Sequence, residues 1–123
     1  MITVLPSEDQ TKLNNIFDKV YSKIEKGTDG KLFTVKINDT PVAKALVDVF
    51  DIYARIYQID LLDTENKTIT LDYIVRTVMS YALNRDIFTI MLLDKNYFSD
   101  MKVFGFYEYE DKMYLEIQKH MGC

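Results

Sequence analysis

The sequence predicts an α+β fold: three or four helices packed on a small, mainly antiparallel sheet with a C-terminal β-hairpin. Three observations carry this. Leu13, Ile16, Phe17, Val20, Tyr21 and Ile24 recur at helical spacing. Residues 32–37 alternate between apolar and polar, with Phe33, Val35 and Ile37 on one face. Residues 103–109 and 112–118 are two strand-forming runs on either side of Glu110-Asp111. With 123 residues, 48% of them hydrophobic, residues 1–123 are expected to form a single α+β domain that needs no cross-links.

Residues 2–5 suggest a short strand ended by Pro6. Ser7-Glu8-Asp9-Gln10 has the form of a capping box, in which Ser accepts from the backbone three residues on and Gln reaches back. The helix behind it is opened by acids and closed by lysines, with Gly27 as its C-terminal cap. Thr28-Asp29-Gly30 is a turn before the alternating strand.

Thr40-Pro41 resembles a helix start, so residues 40–59 are expected to be helical. Lys44, Asp48, Asp51, Arg55 and Gln58 would form one narrow polar stripe on an otherwise apolar, buried helix. Thr70 can cap a third helix to about residue 83, with Ile74, Val75, Val78, Met79 and Ala82 inward and Asn84 as its stop. The apolar run 87–93 fits a buried helix or a buried strand, and a short helix opened by Asp86 is favoured. If the final hairpin turns over two residues, Tyr107 faces Tyr114 and Tyr109 faces Lys112. Phe104, Phe106, Met113, Leu115 and Ile117 then share the inner face. A three-residue loop would exchange the faces of the first strand.

Chemistry-bearing residues are sparse. His120, the sole histidine, and Cys123, the sole cysteine, sit in the tail, where a nucleophile would lack an orienting set. No cysteine and histidine set suits zinc. Asp63, Glu65 and Lys67 only outline a calcium loop, which lacks its glycine and its final acid, Ile74 standing at the twelfth position. Gly27 and Gly30 are turn residues and form no phosphate loop. Asp48 and Asp51 could act as paired carboxylates, but Lys44 and Arg55 stand four residues away on either side, as in ordinary helical ion pairs. No catalytic residue, metal or cofactor is therefore expected.

Two binding surfaces stand out. Lys12, Lys19, Lys23 and Lys26 make a stripe on the first helix that could meet an anion. Tyr107, Tyr109, Lys112 and Tyr114 would share the outer face of the hairpin, and tyrosine is common at interface hot spots. The net charge of −4 arises entirely beyond residue 59, where eleven acids face seven bases, and it disfavours nucleic acid as the partner. The N-terminal residues lack the basic and long apolar regions of a secretion signal, and residues 87–93 are too few to span a bilayer. The sequence thus points to a cytoplasmic, non-catalytic protein-binding module (adaptor, inhibitor or small assembly subunit) that uses the tyrosine face, with no membrane association. A nucleic-acid-binding regulator using the lysines is the alternative, and a carboxylate-based enzyme the third reading.

Overall fold

The computed structural model describes residues 2–6, 10–63 and 65–117. Strand β1 (Ile2–Pro6) leads into helix α1 (Gln10–Tyr21), followed by β2 (Thr28–Ile37), β3 (Thr40–Phe50) and β4 (Tyr53–Leu61). Helix α2 (Lys67–Leu83) precedes β5 (Thr89–Leu92). A short α3 (Phe98–Met101) lies between 3-10 turns at Lys95–Tyr97 and Lys102–Phe104. The chain then forms β6 (Tyr107–Tyr109) and β7 (Lys112–Glu116). The seven strands make one sheet in the order β1-β2-β3-β4-β5-β7-β6. Neighbours are antiparallel except β4 and β5, which run parallel and are joined through α2. The architecture is α+β, as expected, with three helices among the described residues and a larger sheet than the sequence suggested.

The main correction concerns residues 40–59, which form β3 and most of β4 instead of a helix. Ala43, Ala45, Val47, Ala54 and Ile56 pack in the main core with α2, while Leu46 belongs to a smaller cluster with Leu13 and Phe17 of α1. A strand covered on both faces is apolar on both, so its alternation disappears and it imitates a buried helix. The turn comes at Asp51, in the left-handed region (φ 55°), and Asn38 and Asp39 turn β2 into β3 the same way (φ 51° and 67°). Pro41 sits beside the register shift between Val35 and Lys36, where the ladder does not require its missing N–H.

Residues 87–93 are corrected similarly. They contain β5, whose Ile90 and Leu92 are fully buried. Asp86, expected to open a helix, instead adopts φ 56° and reverses the chain after α2.

The remaining elements follow the sequence more closely. α1 buries Leu13 and Phe17 and half-buries Ile16, Val20 and Tyr21. Its expected capping-box residues 7–9 lie outside the described residues. Gly27 does not cap this helix; it lies against the sheet, where an added Cβ would meet the Asp48 carboxylate and, at 2.5 Å, the Val49 carbonyl oxygen. α2 begins before Thr70, which is buried inside it with its amide bonded to the Asn66 carbonyl at 2.9 Å. Asn84 does end the helix, its N–H donating to Ser80 at 3.0 Å. The final hairpin turns on Glu110-Asp111, both left-handed (φ 49° and 66°), with Tyr107 opposite Tyr114 and Tyr109 opposite Lys112. Phe106, Met113, Leu115 and Ile117 are buried, while Phe104 is half-buried in a 3-10 turn.

Candidate active site

The parallel pair creates the site. β4 and β5 are in register from Tyr53 opposite Thr89 to Ile56 opposite Leu92, and their last backbone bond joins Leu93 N–H to the Ile56 carbonyl at 2.9 Å. At that point β4 bulges. Val47 of β3 pairs with Ile56 and Leu46 with Gln58, so Tyr57 is skipped. A bulge bends its strand and re-aims its side chains. Beyond it the two strands part around a cavity of about 750 Å³, lined in part by Tyr57, Gln58, Leu61, Leu93, Asp94 and Tyr97. Ligands of sheets with parallel strands sit beyond the carboxyl ends of those strands, and this is the only such pair among the described residues.

Asp94 bridges the gap. One carboxylate oxygen accepts the Ile59 N–H at 3.0 Å and the other accepts the Asn96 N–H at 3.2 Å. The freed backbone of β4 is thus partly satisfied by a side chain, which keeps the strands apart without leaving an orphaned donor. Tyr97 follows in the next turn and is half-buried; burial chiefly, then the Asp94 and Asp60 charges, raises its hydroxyl pKa. Asp60 lies exposed at the rim and accepts from the Gln58 amide at 3.0 Å.

A rigid polar cluster lies beside the cavity on the α1 face. Asp48 and Arg55 are cross-strand partners, 0% and 4% exposed, not the spaced members of a helical stripe. The guanidinium meets both Asp48 oxygens at 3.0 Å, donates to the Glu25 carbonyl at 2.9 Å, and stacks on the Phe50 and Tyr57 rings at 4.3 and 4.8 Å. The Tyr21 hydroxyl also donates to Asp48, at 2.5 Å; its pKa is pushed up to about 12, first by burial and then by that carboxylate. The Tyr57 hydroxyl is buried near Asp48; burial first, and then that carboxylate, raise its pKa far above the usual tyrosine value. Asp48 is therefore a sealed structural charge. Asp51 is exposed in the β3–β4 turn, so these carboxylates do not form an acid–base pair in a cleft.

The predicted binding residues divide. Two further cavities, of about 400 and 380 Å³, lie between α1 and the sheet and share Gln58 with the main cavity. Lys12 and Lys44 line the first, Lys19 and Lys23 the second, and Lys44 and Lys95 the main one. Lys26 lies apart, in the segment leading to β2, because the helix has already ended. Tyr107 and Tyr109 are 47% and 61% exposed, and the Tyr107 and Tyr114 rings are 6.0 Å apart, with Lys112 half-buried beside them. Tyr53 extends this aromatic row, 5.6 Å from Tyr114. Asp63 accepts the Glu65 amide at 2.9 Å, and Lys67 pairs with Asp100 at 3.0 Å, so the outlined calcium loop is an ordinary turn. His120 and Cys123 lie outside the described residues. Sequence reading missed Tyr57, Asp60, Leu93, Asp94 and Tyr97. Recognising residues 53–61 and 89–92 as parallel strands around a helix would have pointed to them.

No protein-family model and no curated protein matches the sequence. The fold does have solved counterparts. A GNAT family acetyltransferase from Elizabethkingia anophelis with acetyl-CoA bound matches at TM-score 0.64 and 13% identity, over 94% of this chain and 97% of that one. A Bacillus subtilis acetyltransferase in complex with CoA matches at 0.64 and 12%, over 94% and 99%. A mutant of the AtaT toxin bound to the C-terminus of the antitoxin AtaR matches at 0.62 and 11%, over 98% and 95%. This corrects the expectation of a non-catalytic, regulatory binding module: the fold is shared with acetyltransferases, two of which have CoA or acetyl-CoA bound in their structures. The cleft here is built from strand geometry and backbone groups, not from a spaced motif. No helix among the described residues is long and apolar enough to cross a membrane.

The described residues fit the arm of coenzyme A better than its phosphates. The cavity offers apolar walls at Leu61 and Leu93 and polar edges for a pantetheine arm. A pyrophosphate at a helix start needs accessible backbone amides, and glycine allows the close approach. No glycine occurs between residues 30 and 105. Asp63 and Glu65 instead place two carboxylates before α2, and the Glu65 amide is already bonded to Asp63. The groups there that could meet a phosphate are the first backbone amides of α2, whose N-cap Asn66 makes no side-chain hydrogen bond.

Proposed function

We propose that this protein is an acyltransferase that moves an acyl group from a thioester to an amine in the cleft beyond β4 and β5. The observation that carries the reading is the parting of the sheet's parallel pair into a cavity of about 750 Å³, in a fold shared with acetyltransferases. In such a transfer the amine nitrogen bonds to the acyl carbon and the carbon–sulfur bond breaks. A cationic amine gives up one proton to solvent before it attacks and a second on transfer, and one proton reaches the sulfur. Tyr97 is the group placed to deliver the second proton, because a tyrosine hydroxyl is protonated at neutral pH and this one borders the cavity. Asp60 and Asp94 place negative charge at the same opening, which favours the approach of a cationic amine.

The test mixes the protein with acyl thioesters and a panel of amines and detects amide by mass spectrometry. Tyr97→Phe is expected to lower kcat by about 10²- to 10⁴-fold, the usual worth of a positioned acid, with little change in KM. Leu93→Trp, which fills the cleft, is expected to abolish thioester binding measured by calorimetry. No amide and no binding with any thioester would refute the reading.

A further inference from the structure

The smaller cavity of about 380 Å³, beside the cleft, bears on the acyl acceptor. It shares Tyr57, Gln58 and Leu93 with the main cavity, so a molecule held there lies against the place where the acyl group arrives. Its walls are largely apolar. Ile16, Val20 and Ile24 line it from the α1 side and Leu93 from the sheet, all half-buried, so a ligand there would cover apolar surface that the fold leaves partly open. A volume near the low end of ligand pockets suits a small molecule.

Charge at this cavity has one sign. Lys19 and Lys23 line it, both exposed, and no acid among the described residues does. Asp18, the acid next to Lys19, is turned about 100° from it around α1 and lies outside the lining. The main cavity carries both signs, Asp60 and Asp94 with Lys44 and Lys95. Those acids therefore stand on the cleft side of the shared wall, and Lys19 and Lys23 on the other. This separation of charge matches a small molecule that carries both an ammonium and a carboxylate.

Building on the acyltransferase reading, we propose that the acceptor is a free amino acid with an apolar side chain. Its carboxylate meets Lys19 and Lys23, its side chain packs on Ile16, Val20 and Ile24, and its amine points past Leu93 into the cleft. The amine, having lost one proton to solvent, bonds to the acyl carbon. The carbon–sulfur bond breaks, the nitrogen releases its second proton and the sulfur takes one up. The product is an N-acyl amino acid that keeps its carboxylate.

Steady-state kinetics with acetyl-CoA or S-acetyl-pantetheine as donor tests this, with L-leucine, L-leucinamide, L-aspartate and the tripeptide leucylglycylglycine as acceptors. L-leucine should exceed L-leucinamide in kcat/KM by at least about tenfold, because the amide lacks the charge that the lysines meet. It should exceed L-aspartate by as much, since a second carboxylate would lie against apolar walls. Lys19→Ala with Lys23→Ala should raise the KM for L-leucine by at least about tenfold and leave kcat and the KM for L-leucinamide unchanged, a split that damage to the fold would not produce. Lys102→Ala, exposed and outside the cavity, should change neither. L-leucinamide, L-aspartate or the tripeptide used as well as L-leucine would overturn the proposal while leaving the acyltransferase reading intact. So would a KM for L-leucine indifferent to the two lysines, or amide formed only from amines outside this set. No amide from any amine with either donor would remove both.

Discussion

Replacing Arg55 by methionine removes the guanidinium but keeps an apolar stem of similar length. The consequence can be worked from its contacts. Asp48 is fully buried and two of its hydrogen bonds come from Arg55; among the described residues the Tyr21 hydroxyl would remain. Breaking a buried pair from one side costs about 3–5 kcal/mol, because the surviving charge has no compensation. The Glu25 carbonyl loses its donor and the Phe50 and Tyr57 rings lose a stacked cation, which adds about 1–2 kcal/mol. The total, about 4–7 kcal/mol, rivals the whole stability of a typical domain, so the variant should be mostly or wholly unfolded at 37 °C. The double variant Asp48→Asn with Arg55→Met leaves no buried charge and should recover most of the loss. Urea denaturation followed by circular dichroism measures both. A single variant costing under about 1 kcal/mol would show that Asp48 is solvated or repartnered, refuting the sealed pair. A double variant no more stable than the single one would refute charge burial as the cause.

Gly27→Ala should destabilise the fold by about 1–3 kcal/mol, because its Cβ would press on Asp48 and the Val49 carbonyl; thermal unfolding reads the shift. Leu13→Ala should cost about 2–5 kcal/mol and the exposed Lys19→Ala under about 0.5 kcal/mol, and equal costs in urea would refute the assigned face of α1. Alkaline pH should weaken the protein. Tyr21 ionises near pH 10 when unfolded but only at about 12 when folded, so the folded state holds its proton more tightly; that stability is fully present below pH 10 and is lost as pH rises through about 12. Tyr57 and Tyr81 act in the same direction. Denaturation midpoints that stay level from pH 9 to 12 would refute this, and Tyr21→Phe should flatten the decline.

Elements with one face in water were legible from the sequence. α1 shows its buried side through Leu13 and Phe17 because lysines and acids occupy the other, and the Tyr107–Lys112 hairpin shows its alternation because its tyrosine face is largely exposed. Asn84 could be read as a helix stop because local geometry alone decides it. Residues 40–61 and 89–92 were not legible in this way. Helices cover both faces of much of β3 and β4, so their apolar residues follow neither period, and Asp48 and Arg55 look like surface charges until the sheet places them opposite each other. The candidate site is the extreme case. Asp94 reaches the backbone of Ile59 across 35 positions of sequence, and the cleft exists only because β4 and β5 pair in parallel around α2 and then separate at Tyr57. No local spacing encodes that opening, since it is made by long-range pairing and by the place where the pairing ends.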